Sequence, residues 1–224
     1  LEFRRVLFRS IYLLFLSSMR KLSYTLFILW VSFVCPSCHN LGKTDSQTLP
    51  TELFSDGDLA FRRGTGFMSR IVVAADKNGT YSHVGILKKM EGEWHVIHAV
   101  PGEPEFKGDP DRVKIEPLTR FFSPERAVCG EIVRWGKDSL TAARAAQTAL
   151  LMAQRGILFD HDYNLSDSSQ MYCTELIEFA YRKEGIDLSE GRITHMDLPV
   201  VRGTYLLPSD LLLNKHLKTI YDFP

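Results

Sequence analysis

Three side chains carry the chemistry open to this sequence. Cys173 lies in Gln170-Met171-Tyr172-Cys173-Thr174-Glu175-Leu176, His83 in Tyr81-Ser82-His83-Val84-Gly85-Ile86-Leu87, and His98 in Trp94-His95-Val96-Ile97-His98-Ala99. A thiol becomes a nucleophile when an imidazole can take its proton, and a third group that orients the imidazole completes a triad. Such a set attacks an amide or ester carbonyl and passes through an acyl-cysteine intermediate. Two other readings compete. One cysteine and two histidines with an open fourth position would suit Zn²⁺, although no C-x₂-C or H-x₃-H pair accompanies them. A non-catalytic module could hold a lipid or peptide in the same groove with these residues idle, since a lone cysteine on an amphipathic helix is commonly a small core residue.

The elements around these residues must bring them together. Ser82–Lys88 and Trp94–Val100 are apolar-rich runs joined by Met90-Glu91-Gly92-Glu93, which reads as a β-hairpin. With the turn centred on Glu91 and Gly92, His83 and His98 come close to cross-strand partners, while His95 points to the opposite face. Cys173 falls in the first turn of a helix that starts at Ser168 or Ser169 and ends at Gly185, with Leu176, Ile177, Ala180 and Tyr181 on its apolar face. Unpaired N–H groups and the helix dipole at that position favour a thiolate, lower its pKa and offer donors to an oxyanion. Glu175 suits the same helix end electrostatically.

Further strands are expected at Asp58–Arg62, after the Asp56-Gly57 turn, and at Val113–Ile115 and Ala127–Trp135. Met68–Ala75 reads equally as helix or strand. Asp138 is a good N-cap for a helix running to Arg155, with Gly156 as its stop. Strands precede helices, so the expected class is α+β.

Composition sets the frame. The chain has 224 residues, 45% apolar and 24% charged, which supports a sizeable core and excludes disorder. Its 27 basic and 27 acidic side chains cancel, so no electrostatic case exists for nucleic acid. The N-terminal segment differs in kind. Residues 1–18 have no usable pattern and read as a non-native leader ahead of Met19. Arg20 and Lys21 then precede the apolar run Leu22–Val34, too short to span a bilayer, which takes roughly twenty residues. Residues 19–38 are therefore an export signal. Ser37-Cys38 before a polar stretch resembles a bacterial lipoprotein signal, in which Cys38 would be acylated and attach the protein to a membrane; ordinary secretion is the alternative. Residues 39–52 form a polar linker, and 53–224 a catalytic domain. Cys35 and Cys38 belong to the signal, so the domain holds only Cys129 and Cys173, as one bridge or two separate thiols.

The blocks Gly57-Asp58-Leu59-Ala60-Phe61, Tyr81–Ile86, Val96–Ala99, Phe159-Asp160, Tyr172–Leu176 and Tyr205–Leu212, taken in order, resemble the YiiX/YaeF family of permuted papain-like enzymes, relatives of the NlpC-type cell-wall peptidases. The likeness spans roughly residues 55–213, with histidine ahead of cysteine along the chain. It implies a circularly permuted papain-like (NlpC-type) fold, an antiparallel sheet packed with helices. Cys173 then matches the nucleophile and His83 the general base. His98 matches the third position, where the more distantly similar lecithin–retinol acyltransferase has histidine and the YiiX branch more often a glutamate. A carboxylate at 98 should accept the same hydrogen bond and stabilise an imidazolium better. Tyr172 is the candidate substrate contact. The function implied is an exported thiol amidase or peptidase, or an acyltransferase, of the cell envelope. It would act on a cell-wall peptide or lipid-derived substrate and require no cofactor.

Overall fold

The computed structural model describes residues 49–77, 79–197 and 202–223. The expected leader, the export signal and most of the linker lie outside the described residues. A 3-10 turn at Thr51–Leu53 leads into β1 (Leu59–Gly64), α1 (Phe67–Ala75), β2 (His83–Met90), β3 (Glu93–Val100) and β4 (Arg112–Pro117). After these come α2 (Leu118–Phe121), β5 (Ala127–Trp135), α3 (Ser139–Gln154) and α4 (Cys173–Arg182). The chain continues through β6 (Thr194–Asp197), β7 (Arg202–Tyr205), α5 (Pro208–Leu212) and β8 (Leu217–Phe223). This is the expected α+β architecture. Six strands make one antiparallel sheet in the order β4-β3-β2-β1-β5-β8, and β6 and β7 pair separately.

Period-two alternation gives the sheet two different faces. Leu59, Phe61, Val84, Ile86, Ile97, Ala99, Val113, Val133 and Trp135 turn one way and pack against α3 and α4. Helix α3 can lie close because its buried stripe is mostly alanine, at 142, 145, 146, 149 and 153. Asp138 caps it as expected, accepting from the Leu140 and Thr141 amides at 3.0 and 3.3 Å. Gly57 sits beneath this helix at φ 91°, where any Cβ would strike the backbone of Ala142. The opposite face of the sheet carries Ala60, Leu87, Val96 and Ile132 under Phe54, Leu118 and Phe121. On this second face, at the end where β2 begins, the row of apolar side chains gives way to Arg62, His83, His98, Lys114 and Glu116, all buried.

The hairpin forms through Glu91 (φ 51°) and Gly92 (φ 87°), both left-handed, the backbone that a two-residue turn between twisted strands requires. The ambiguous segment at 68–75 is the helix α1. One expected boundary is wrong: the second helix does not start at Ser168 or Ser169 but at Cys173 itself, with Tyr172 in the N-cap position. Ser169 is engaged by Asp167, whose carboxylate takes both its amide and its hydroxyl. Met171 N–H then donates to Leu158 O at 3.0 Å, and Asp160 N–H to Met171 O at 3.3 Å. That bridge holds residues 170–171 extended, so no helix can begin before it.

Candidate active site

The start of α4 places Cys173 at the first helical position, against the first residues of β2. The backbone N–H groups of Val84, Thr174 and Cys173 itself lie on the side of the sulfur and favour its thiolate. Val84 follows His83 in the chain, so the backbone next to the imidazole lies beside the thiol. Cys173 and Cys129 are both free thiols, and neither is fully buried. The expected lowering of the Cys173 pKa is not found. Burial outweighs the helix-end donors and the charge of Arg62 and pushes the thiol up to about 11.

His83 and His98 meet directly. Their Nε2 and Nδ1 atoms stand 2.8 Å apart, the rings crossing edge to face. The strand register pairs Ile86 with Ile97, so the two histidines are offset by two residues and meet on a diagonal. Phe121 closes over both, with ring centroids at 5.8 Å from His83 and 5.3 Å from His98. Burial first, then the positive charge of Arg62, holds both imidazoles well below the usual 6.5, so each is neutral at physiological pH. Two nitrogens bound to one tetrahedral zinc at about 2.0–2.1 Å each would lie roughly 3.3 Å apart with the ion between them. These two face each other at hydrogen-bond distance instead. Among the described residues no group of three or more His, Cys, Asp or Glu side chains is arranged to hold a metal ion.

The relay runs further than the sequence reading. His98 Nε2 lies 3.0 Å from Glu116 Oε1 on β4, an electrostatic contact without the alignment of a hydrogen bond. Arg62, the cross-strand partner of His83, is 2% exposed. Its guanidinium stacks 4.3 Å over Phe121 and donates to Phe121 O at 2.8 Å and to Glu103 Oε1 at 2.6 Å. It also approaches Glu116 Oε1 at 3.9 Å, with Arg126 and Arg120 at 3.5 and 3.6 Å from the other Glu116 oxygen. Arg126 further pairs with Glu103. Burial pulls Arg62 down to about 10 against the pull of Glu116, and burial raises Glu116 against Arg62, Arg120 and Lys114. Glu116, Arg62 and Glu103 were not among the expected site residues. The one available signal was the Val113-Lys114-Ile115-Glu116 alternation, which ordinarily marks a solvent-facing strand edge.

Tyr172, the expected substrate contact, is 4% exposed. Its hydroxyl accepts from Leu206 N–H at 3.0 Å, and next to it Thr174 Oγ1 donates to Leu206 O at 2.6 Å. Together they clamp the 206–207 segment beside the nucleophile. Glu175 takes the Tyr172 amide at 3.4 Å, and its burial, with Asp160 and Asp167 nearby, pushes its carboxyl up to about 8.

A family model described as permuted papain-like amidase enzyme, YaeF/YiiX, C92 family, matches residues 54–221. Comparison with curated proteins gives no match. A solved structure from Escherichia coli O157:H7, described as the metalloprotein yiiX, has a TM-score of 0.59 at 19% identity, over 75% of this chain and 96% of that one. At that identity the likeness speaks for the fold alone.

Proposed function

The chain belongs to the permuted papain-like amidase family of YaeF and YiiX, and on that premise we propose that it is an exported thiol hydrolase that cleaves an amide or ester through an acyl-cysteine intermediate. The observation that carries this reading is the ordered run His83, His98 and Glu116 at the end of the sheet where β2 begins, with Cys173 at the start of the helix that packs on β2.

The resting site holds a thiol and two neutral imidazoles. With His83 Nε2 turned to His98, Nδ1 is the ring atom left for the thiol. One tautomer set serves base chemistry: His83 carries its proton on Nε2 and donates to His98 Nδ1, and His98 carries its own on Nε2, toward Glu116. His83 Nδ1 then takes the Cys173 proton as the sulfur attacks the carbonyl carbon. The unpaired N–H groups at the helix start are suited to the developing oxyanion. Collapse transfers the proton from Nδ1 to the leaving nitrogen or oxygen and leaves a thioester. Water, deprotonated by the same nitrogen, releases the acid and restores the thiol. Glu116 and His98 stabilise the transient imidazolium, since Glu116 is the negative end of the chain.

The substrate is a cell-wall peptide or a lipid-derived acyl compound, and the site of action is the cell envelope, by secretion or by attachment through acylated Cys38. The test is single-turnover acylation by a thiol-reactive acyl probe, with the trapped group identified by mass. Wild type should form a thioester that Cys173→Ala and His83→Ala lack. A wild type that binds such acyl compounds without forming a thioester would instead be an idle binding module.

A further inference from the structure

Helix α1 reads Phe67-Met68-Ser69-Arg70-Ile71-Val72-Val73-Ala74-Ala75, yet none of its residues is buried. Phe67 is 74% and Met68 48% exposed. At 100° per residue, Phe67, Met68, Ile71, Val72, Ala74 and Ala75 share one arc of about 160°. The exposed Arg70 borders it on the helix, the exposed Lys77 follows the helix end, and Arg63, whose Nε donates to Thr80 O at 3.3 Å, precedes the helix on β1. The acid in the same stretch, Asp76, is buried and accepts the Ser209 hydroxyl at 2.6 Å. The outer side of this segment is therefore apolar and cationic on a chain whose net charge is zero.

Its anchorage gives the helix a place relative to the chemistry. Ahead of it, at the end of β1, Gly64 N–H donates to Ser82 Oγ at 3.0 Å, and Ser82 precedes His83. At its end, Asp76 holds Ser209, just beyond the 206–207 segment clamped by Tyr172 and Thr174 on either side of Cys173. The chain entering α1 is thus held next to the base, and the end of the helix is held to the segment beside the nucleophile.

We propose that α1 is a docking element for a bilayer surface bearing anionic headgroups, and that the active site beside it takes acyl substrates from that surface. The second half rests on the thiol-hydrolase reading. An amphipathic helix with an apolar face and a basic border lies in the plane of a membrane interface, the cations adding attraction to anionic lipid. Pairing of this face with its own copy would bring the two cationic borders together, which disfavours a second chain as the occupant.

The test is amide hydrogen exchange on the full chain with vesicles of phosphatidylcholine, alone or mixed with phosphatidylglycerol, because exchange locates the contact. Residues 66–77 should become protected on the anionic vesicles. Phe67→Ser and Arg70→Glu should each weaken that protection by at least about fivefold, the first through lost apolar burial and the second through a lost cation near an anionic surface. Unchanged exchange in α1 on vesicle-bound protein overturns the proposal. So does protection without vesicles, whether it rises with concentration (a second copy) or not (the chain's own Leu22–Val34). Both variants should react with a soluble acyl probe as wild type does, yet lose hydrolysis of a vesicle-borne ester. Protection of α1 with Cys173 inert to the soluble probe leaves docking standing and removes the hydrolase reading. Vesicle-borne ester cleaved equally by both variants removes the substrate assignment.

Discussion

Gly85 faces His98 across the β2–β3 pair: a Cβ at Gly85 would come 3.1 Å from the Cβ of His98 and would collide with Val96. The missing side chain leaves the diagonal open, so His83, two residues back on the same face, reaches His98 at 2.8 Å. The contact between the two imidazoles thus depends on a residue that takes no part in the chemistry.

Gly85→Ala should therefore damage activity through geometry. A methyl group forced into this packed strand costs about 1–3 kcal/mol, and it must move His98 or Val96. Acylation should fall at least about tenfold with the fold retained. Acylation at the wild-type rate would show that the His83–His98 contact is dispensable.

Glu116 alters what a carboxylate at position 98 should do. His98→Glu on its own sets two acids side by side where His98 Nε2 now stands 3.0 Å from Glu116, so it should lose most of its acylation rate despite restoring a hydrogen-bond acceptor for His83. The double variant His98→Glu/Glu116→Gln removes the repulsion and should recover about tenfold or more over the single one. Equal rates for the two would mean that Glu116 is not coupled to position 98. Single-turnover acylation reads all of these directly.

The pH profile separates the thiol from its base. Cys173 is pushed up to about 11, so its alkylation by iodoacetamide should keep accelerating between pH 9 and 10.5, beyond the ordinary cysteine value of about 8.5. The base behaves oppositely. His83 is held well below 6.5 and stays neutral on mild acidification, so substrate-driven acylation should not decline as pH falls through 6.5. An acid limb at 6.5 or above would mean that His83 is not the base, or that it is far more hydrated than this site allows.

Much of this site was legible locally. The hairpin follows from its turn residues, α3 from Asp138, and the pairing of His83 with His98 from counting outward from Glu91 and Gly92. Glu116 and Arg62 were not, because a charge on an alternating strand normally faces water, and here α2 and Glu103 cover that face. The start of α4 escaped for the complementary reason. Ser168 and Ser169 are good caps by type, but a bridge from Gln170 to Leu158, well upstream of both, decides the boundary. The lowered thiol pKa failed because a helix end is a local property, whereas desolvation belongs to the whole packed site.

Glu175 links stability to pH. Its folded-state carboxyl sits at about 8 against an ordinary 4.5, so the folded protein binds the extra proton between those values. Its contribution is fully present below about pH 4.5 and is lost as pH rises through 8. Glu175→Gln cannot lose that proton. Its melting temperature should gain on wild type as pH rises from 5 to 8, by at least about 3 °C, which corresponds to roughly 1 kcal/mol in a domain of this size. A difference that stays constant over that range would place Glu175 in contact with solvent.

Attachment to the envelope has its own test. With Cys38 acylated, Cys38→Ser should shift the protein from the membrane fraction to the soluble exported fraction. Wild type already found in the soluble fraction would leave ordinary secretion.

Arg62 also bears on how sequences of this kind can drift. Its guanidinium is buried and answers to Glu103 from one loop, Glu116 from β4 and the Phe121 carbonyl, while Arg126 shares both acids. Loss of one carboxylate strands a positive charge out of reach of water, a change that typically costs about 3–5 kcal/mol. Replacement of Arg62 alone strands the acids in turn. The cluster can be inherited intact or exchanged as a set, but it has few viable single steps between. Positions 62, 103, 116 and 126 should therefore covary among relatives of this chain, while the surface around them changes freely.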